Sequence, residues 1–321
     1  MRAAAPLDIE LFAPSGYPQD RAAVERGLAR LREAGCTVRG VEATARRFQR
    51  FAGTDEERLA DLNQLADPAH PLPDIALNVR GGYGASRLLD KLDYAGLQRR
   101  LTGTSTMLVG HSDFTAIQLA LLAKTGLVTF GGPMLAGNFG ATDETFSAFT
   151  FEHFWNAVSG VPLSVGSSAA QQHTLDASGT LWGGNLTLTA ALVGTPYMPT
   201  IDGGILFLED IAERPFRIER MLYQLHHAGI LQRQQAIILG DFSQSDPVPY
   251  DNGFSVADVA AQIRRVTGIP VLTGLQFGHC DDLVTLPVGV AAQLRSGPDG
   301  FTLSVSGYPH AGGEKALASA S

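Results

Sequence analysis

A chain of 321 residues with 45% apolar and 17% charged side chains and 36 glycines is long enough for two hydrophobic cores, and its composition is neither disordered nor fibrous. Its formal charge of −8 excludes a general affinity for nucleic acid or anionic lipid, which both need a basic surface, and leaves a small or peptide-like partner. Two cysteines, Cys36 and Cys280, are too few for a disulfide framework and lack the paired spacing of a zinc site, which fits a reducing compartment.

At the N-terminus, MRAAAPLDIELF places Asp8 and Glu10 where a leader would be apolar, and no later run approaches the roughly 20 apolar residues of a membrane helix. The expectation is a cytoplasmic protein without signal peptide or membrane span. From residue 7 to about 158 short apolar runs alternate with helical patterns. LDIELFAP precedes a helix to Gly35, TVRGVE precedes DEERLADLNQLA, and IALNV precedes ASRLLDKL. TMLVG precedes FTAIQLALLAK, and LVTF precedes a helix near 143–158. This alternation predicts a parallel sheet with helices on both faces. Thr54 followed by Glu57 is a capping box that starts the second helix.

Beyond residue 160 strand candidates crowd together as PLSVG, QHTLD, GTLWGGN and GILFLED, followed by one helix at FRIERMLYQLHHAG. AIILGDF, a helix around VADVAAQIRRV, then VLTGLQFG, LVTLPVGVAAQLR and FTLSVS complete the chain, with a small polar tail from Pro309 that is expected to fray. The predicted organisation is α/β throughout: a parallel-sheet domain over 1–158 and a mixed, β-rich domain over 159–321.

The apolar run TMLVG stops at Gly110-His111-Ser112-Asp113, and a helical pattern starts at once. A strand-to-helix elbow projects a serine hydroxyl, and the next backbone N–H, that of Asp113, is free to receive an oxyanion. The hydrolase elbow G-x-S-x-G is only partly matched, because Phe114 fills its last position; Ser112 or Asp113 as a plain helix cap competes with the catalytic reading. Arg80-Gly81-Gly82-Tyr83-Gly84 turns at the same edge of the sheet. Arg87 stands where a dinucleotide-binding loop would need its third glycine, which counts against a dehydrogenase. Gly81 or Gly82 then offers a second oxyanion donor, Arg80 attracts a carboxylate, and Arg80 and Tyr83 are the substrate-binding candidates.

Of eight histidines, His226 and His227 end a helix, where a cation favours the dipole, and His153 lies on a helix face. His279, in a polar loop after an apolar strand, is the preferred base. Its neighbour Cys280 points the other way on an extended chain, and Asp281 and Asp282 beside it make only a weak metal pattern. Glu209 and Asp210 end the strand GILFLED on opposite faces, and either could orient an imidazole.

In order along the chain, APSG (13–16), AGTDEERLADLN (52–63), RGGYG (80–84), GHSD (110–113), FGGPM (130–134), GGNL (183–186), LEDIAERPFRIERML (208–222), LGDF (239–242) and FGH (277–279) resemble the LD-carboxypeptidase family, serine peptidases of murein recycling. The resemblance implies Ser112 as nucleophile, Glu209 as the orienting acid and His279 as general base. It further implies a flavodoxin-like first domain, no metal or cofactor, a homodimer as a possible assembly, and removal of a terminal D-alanine from a murein tetrapeptide through an acyl-enzyme. The pattern departs at Gly131, where family members often carry histidine. Two alternatives use the same crevice: an enzyme similar to microcin C immunity peptidases, which recognise a nucleobase by aromatic stacking, and a non-catalytic muropeptide-binding protein.

Overall fold

In the computed structural model, which describes residues 6–312, the strands form two sheets. The first is built from β1 (Asp8–Phe12), β2 (Thr37–Arg39), β3 (Ile75–Asn78), β4 (Met107–Gly110) and β5 (Thr129–Gly131). These pair in parallel in the order β2-β1-β3-β4-β5, the flavodoxin-like arrangement. Strands β3 and β4 are buried along their whole length, as a run of IALN or MLVG without polar alternation requires. The helices of this half are α1 (Arg21–Glu33), α2 (Asp55–Asn63), α3 (Tyr94–Leu101), α4 (Thr115–Thr125) and α5 (Ala148–Val158). The Thr54–Glu57 capping box closes in both directions, with Thr54 N donating to Glu57 Oε2 at 2.7 Å and Glu57 N to Thr54 Oγ1 at 3.3 Å.

The second sheet runs through β6 (Leu163–Ser167), β7 (Leu175–Asn185), β8 (Gly204–Ile211), β9 (Gln234–Ser243) and β10 (Val271–Thr273), then β12 (Val290–Gly297) and β13 (Gly300–Val305). Its order β10-β9-β8-β7-β12-β13-β6 is parallel from β10 to β7 and antiparallel from β7 to β6. Three helices belong to this half: α6 (Leu186–Ala191), α7 (Pro215–His227) and α8 (Val256–Thr267). The two sheets are thus an α/β parallel layer and a mixed layer, as the spacing of elements predicts.

Several local expectations are corrected. ASRLLDKL forms a single 3-10 turn, Ala85–Arg87, and the helix comes later as α3, started by the Asp93 carboxylate accepting from Gly96 N at 2.8 Å. Val41–Thr44 is a 3-10 turn and not strand, and α5 starts at Ala148 behind a Ser147 cap, five residues late. QHTLD and GTLWGGN form largely one long strand, β7. LVTLPVGVAAQLR splits at Gly289: β11 (Leu286–Val288) crosses back to pair antiparallel with β5 in the first sheet, while β12 joins the second. Of the tail expected to fray, Ala311 is buried; residues 313–321, like residues 1–5, lie outside the described residues.

Candidate active site

Three loops of the first sheet converge beyond the ends of β1, β3 and β4. Ser112 opens a 3-10 turn, Ser112–Phe114, between β4 and α4, with a left-handed φ of 62° that a non-glycine residue holds only under local strain. Neither Ser112 nor Asp113 caps α4, whose N-cap Phe114 has no side-chain bond, so the capping alternative is set aside. The Asp113 side chain instead ties the three loops together: its Oδ2 accepts from Ser15 Oγ at 2.6 Å and from Ala85 N at 2.8 Å. Burial raises the Asp113 pKa, against these two bonds and the charge of Arg58.

Arg58 is fully buried beneath the same loops. Its Nη1 donates to the carbonyls of Pro14 and Gly84, its Nη2 pairs with Asp55, and its guanidinium lies 4.7 Å over the Phe51 ring. Gly81 lies directly against Ser112: a Cβ built there would stand 2.8 Å from Ser112 Oγ and 3.6 Å from Asp113 N. Gly82 has a left-handed φ of 110° and more room, with nothing nearer than 3.6 Å to such a Cβ.

The second sheet supplies the rest. Glu209, at the end of β8, is wholly buried, and its Oε2 accepts from His279 Nδ1 at 2.8 Å. With that proton committed, His279 Nε2 accepts from Ser112 Oγ at 3.1 Å. The three side chains form one continuous hydrogen-bonded chain across the two sheets. Burial opposes a charge on His279, yet the hydrogen bond and charge of Glu209, with Asp210 and Asp241 behind, outweigh it and raise the imidazole pKa.

Asp210 turns to α6 instead: its Oδ2 accepts from Thr187 N at 2.9 Å in the first turn of that helix. Between the two acids stands Asn185, whose Nδ2 donates to Glu209 Oε1 at 3.1 Å and to Asp210 Oδ1 at 3.0 Å. Sequence reasoning marked GGNL only as a matching segment and missed this role; the signal was an Asn ending a buried strand beside two acids. The glycine before it is required, since a Cβ on Gly184 would meet Thr115 Oγ1 at 2.7 Å, the same hydroxyl that accepts from Asn185 N at 3.1 Å.

The departure at Gly131 also has a physical reason. A Cβ there would lie 2.7 Å from the Phe277 ring, which packs edge-on to Phe207 at 4.8 Å directly before the His279 loop. Cys280 is no competitor to Ser112: burial, then the charge of Asp241, pushes its thiol up to about 12. His153, half-buried on α5, packs on Phe149 at 4.2 Å, and His226 and His227 end α7 as expected. Arg80 Nη1 donates to Tyr17 O at 3.0 Å beside Gly16, and Tyr83 is exposed against Phe51 at 5.9 Å. Among the described residues no helix is long and apolar enough to cross a membrane.

A hydroxyl on a strained elbow, an imidazole and a buried carboxylate in one chain, set between two α/β layers, define the site as that of a serine-type hydrolase. The first half of the chain, residues 9–132, matches the LD-carboxypeptidase N-terminal domain, and residues 178–294 match the LD-carboxypeptidase C-terminal domain. The probable murein peptide carboxypeptidase of Bacillus subtilis is 30% identical over 289 residues, covering 90% of this chain and 88% of that protein. The crystal structure of muramoyltetrapeptide carboxypeptidase from Oxalobacter formigenes superposes with a TM-score of 0.86 at 42% identity, over 94% of this chain and 99% of that one. The microcin C7 self-immunity protein of Escherichia coli is 29% identical over 274 residues, 74% of this chain and 75% of that protein. The chain belongs to the LD-carboxypeptidase family and is a serine-type peptidase.

Proposed function

We propose that this enzyme removes the terminal D-alanine from murein tetrapeptides by cutting the bond between the L-centre of the third residue and D-Ala. Ser112 attacks the carbonyl while His279 Nε2 takes its proton. The oxyanion forms against Asp113 N–H and the glycine turn at 81–82, and Glu209 steadies the imidazolium. His279 then protonates the leaving amine, and water hydrolyses the acyl-enzyme by the same route in reverse. The observation that supports this most directly is the unbroken chain Glu209–His279–Ser112, at 2.8 and 3.1 Å. Arg80 and Tyr83, on the turn against Ser112, are the groups we assign to substrate. The division of labour we infer places the nucleophile on residues 1–158 and the acid and base on 159–321.

Recognition of a nucleotide by stacking on tryptophan has little support in this chain. Trp182 is fully buried, with Nε1 donating to Gln234 Oε1 at 2.8 Å, and Trp155 is buried against Phe154. The acidic surface and the two free thiols favour a cytoplasmic setting and a substrate that is neither nucleic acid nor membrane; the homodimer raised by the family resemblance is read by sedimentation. The deciding assay incubates the enzyme with murein tetrapeptide and with its L-Ala-terminated epimer and follows free alanine by mass. Release from the D-form alone, abolished in Ser112→Ala, is expected. Release from both epimers would reject the L,D-specificity, and peptide bound without release by the parent enzyme would leave only a binding protein.

A further inference from the structure

His279 sits in a loop, residues 276–284, that is closed on itself by Val284 N donating to Gln276 O at 2.8 Å. Two residues before the histidine, the carbonyl of Phe277 accepts from Asp241 N at 2.8 Å, a clamp from the end of β9 in the second sheet. Two residues after it, the carbonyl of Asp281 accepts from Thr150 Oγ1 at 2.8 Å, and the same hydroxyl accepts from Leu283 N at 2.8 Å. Thr150 lies in the first turn of α5 and is 1% exposed, so a single buried hydroxyl closes this side of the loop. Ser147, the N-cap of α5, adds a second tie: its Oγ accepts from Thr150 N at 3.0 Å and donates to Asp282 Oδ1 at 2.6 Å.

Helix α5 is fastened to the half that carries Ser112. Phe151 and Phe154 pack on Phe139 with ring centroids 4.9 and 5.2 Å apart. The segment leading to Phe139 is bonded to the end of β3, through Leu135 N to Asn78 O at 3.0 Å and Ala136 N to Val79 O at 2.9 Å. His279 is therefore gripped from two directions, by Asp241 from the half that holds Glu209 and by Thr150 from the half that holds Ser112. A proton transfer across the 3.1 Å between His279 Nε2 and Ser112 Oγ leaves little tolerance for displacement of either group.

We propose that Thr150 is a positioning residue for the reaction: its hydroxyl sets the reach of His279 to Ser112 and makes no contact with substrate. The proton of that hydroxyl is given to Asp281 O, and its oxygen receives Leu283 N, so both of its bonds are spent inside the protein. The proposal rests on the reading of His279 as general base.

The test is a pair of variants. Thr150→Val keeps the branched shape and removes both bonds, whereas Thr150→Ser keeps the hydroxyl. In Thr150→Val, kcat on murein tetrapeptide should fall roughly 10- to 100-fold, the effect of a reacting group displaced by about 1 Å, with KM changed by less than about twofold. Labelling of Ser112 by a fluorophosphonate, which reads activation of the serine without any peptide, should slow by the same factor, and Thr150→Ser should restore both rates. Circular dichroism establishes that folded proteins are compared. If Thr150→Val does not fold, Asp282→Ala, which removes an exposed carboxylate and its bond to Ser147, decides instead: a smaller fall in kcat at constant KM supports the proposal, and parental kinetics overturn it. A folded Thr150→Val enzyme with parental kcat and labelling rate, a loss confined to KM, or a Thr150→Ser enzyme as slow as Thr150→Val also overturns it. A parent enzyme that is labelled yet releases no alanine would fault the D-alanine reading, while slower labelling of Thr150→Val would still uphold the positioning role. A parent that is neither labelled nor active would end both.

Discussion

Replacing Gly81 by alanine tests the site at its tightest point. The new methyl would stand 2.8 Å from both Cβ and Oγ of Ser112, whereas comfortable carbon contacts lie near 3.5–4.0 Å. Ser112 cannot retreat by a backbone change, because its elbow is already held at φ 62° and pinned through Asp113 to Ser15 and Ala85. The hydroxyl must therefore swing away from His279, breaking a 3.1 Å bond, and the methyl enters the space where the oxyanion forms. Loss of one oxyanion donor alone costs about 10²- to 10³-fold in kcat, or about 2.7–4 kcal/mol, and the displaced hydroxyl adds to it. The fold should suffer little. Gly81 is not in the left-handed region, so the cost is local overpacking of about 1–3 kcal/mol, offset in part by the lower entropy of the unfolded chain. Gly82→Ala has the converse signature, since its site is roomy but left-handed at φ 110°: roughly 1–2 kcal/mol of stability is lost, with a smaller fall in kcat. Turnover and thermal unfolding of the two variants separate these effects. A Gly81→Ala enzyme that kept more than about a third of parental kcat would refute the argument, since that is less than 1 kcal/mol of barrier.

In the proposed mechanism His279 is neutral when it accepts the serine proton, and its pKa is raised, so activity should fall as pH drops through a midpoint above the ordinary 6.5. In Glu209→Gln the raising charge is gone and burial dominates, so that midpoint should move downward while kcat falls by up to about 10⁴-fold; a flat profile through mildly acid pH would count against the assignment. Asn185→Leu strips the shared donor from Glu209 and Asp210 and should lower kcat by roughly ten- to a hundredfold with little change in KM, as steady-state kinetics would read. Arg58→Met removes the buried cation beneath the loops carrying Ser15 and Gly84, and calorimetric unfolding should show a loss of about 3 kcal/mol or more together with reduced kcat.

The parallel layer was legible because its strands are short, apolar and regularly separated by helical patterns, and the serine stood out at the join of two such elements. The turn Ala85–Arg87 was misread as a helix because ASRLLDKL has helical periodicity, yet Gly84 N-terminal to it lies at φ 147° over Arg58, and the chain must descend from that contact before α3 can start. Alternation placed Glu209 and Asp210 on opposite faces but could not say which face held His279, since that depends on how two separately built sheets meet. Asn185 escaped for the same reason: its partners lie 24 and 25 residues away on the neighbouring strand. The split of LVTLPVGVAAQLR between two sheets was invisible in a continuous apolar run, where only Gly289, at φ 101°, marks the break.

The return of β11 to the first sheet reaches beyond topology. Residues 274–285, which carry His279, run from β10 in one sheet to β11 in the other, so the imidazole rides on a strap anchored in both bodies. A fragment ending near residue 158 would lack the strand that covers β5, leaving Thr129–Gly131 with unpaired amides and carbonyls open to any passing strand. The first half is thus finished as a folded unit only by a late piece of the second, and preparations cut between them invite edge-to-edge association.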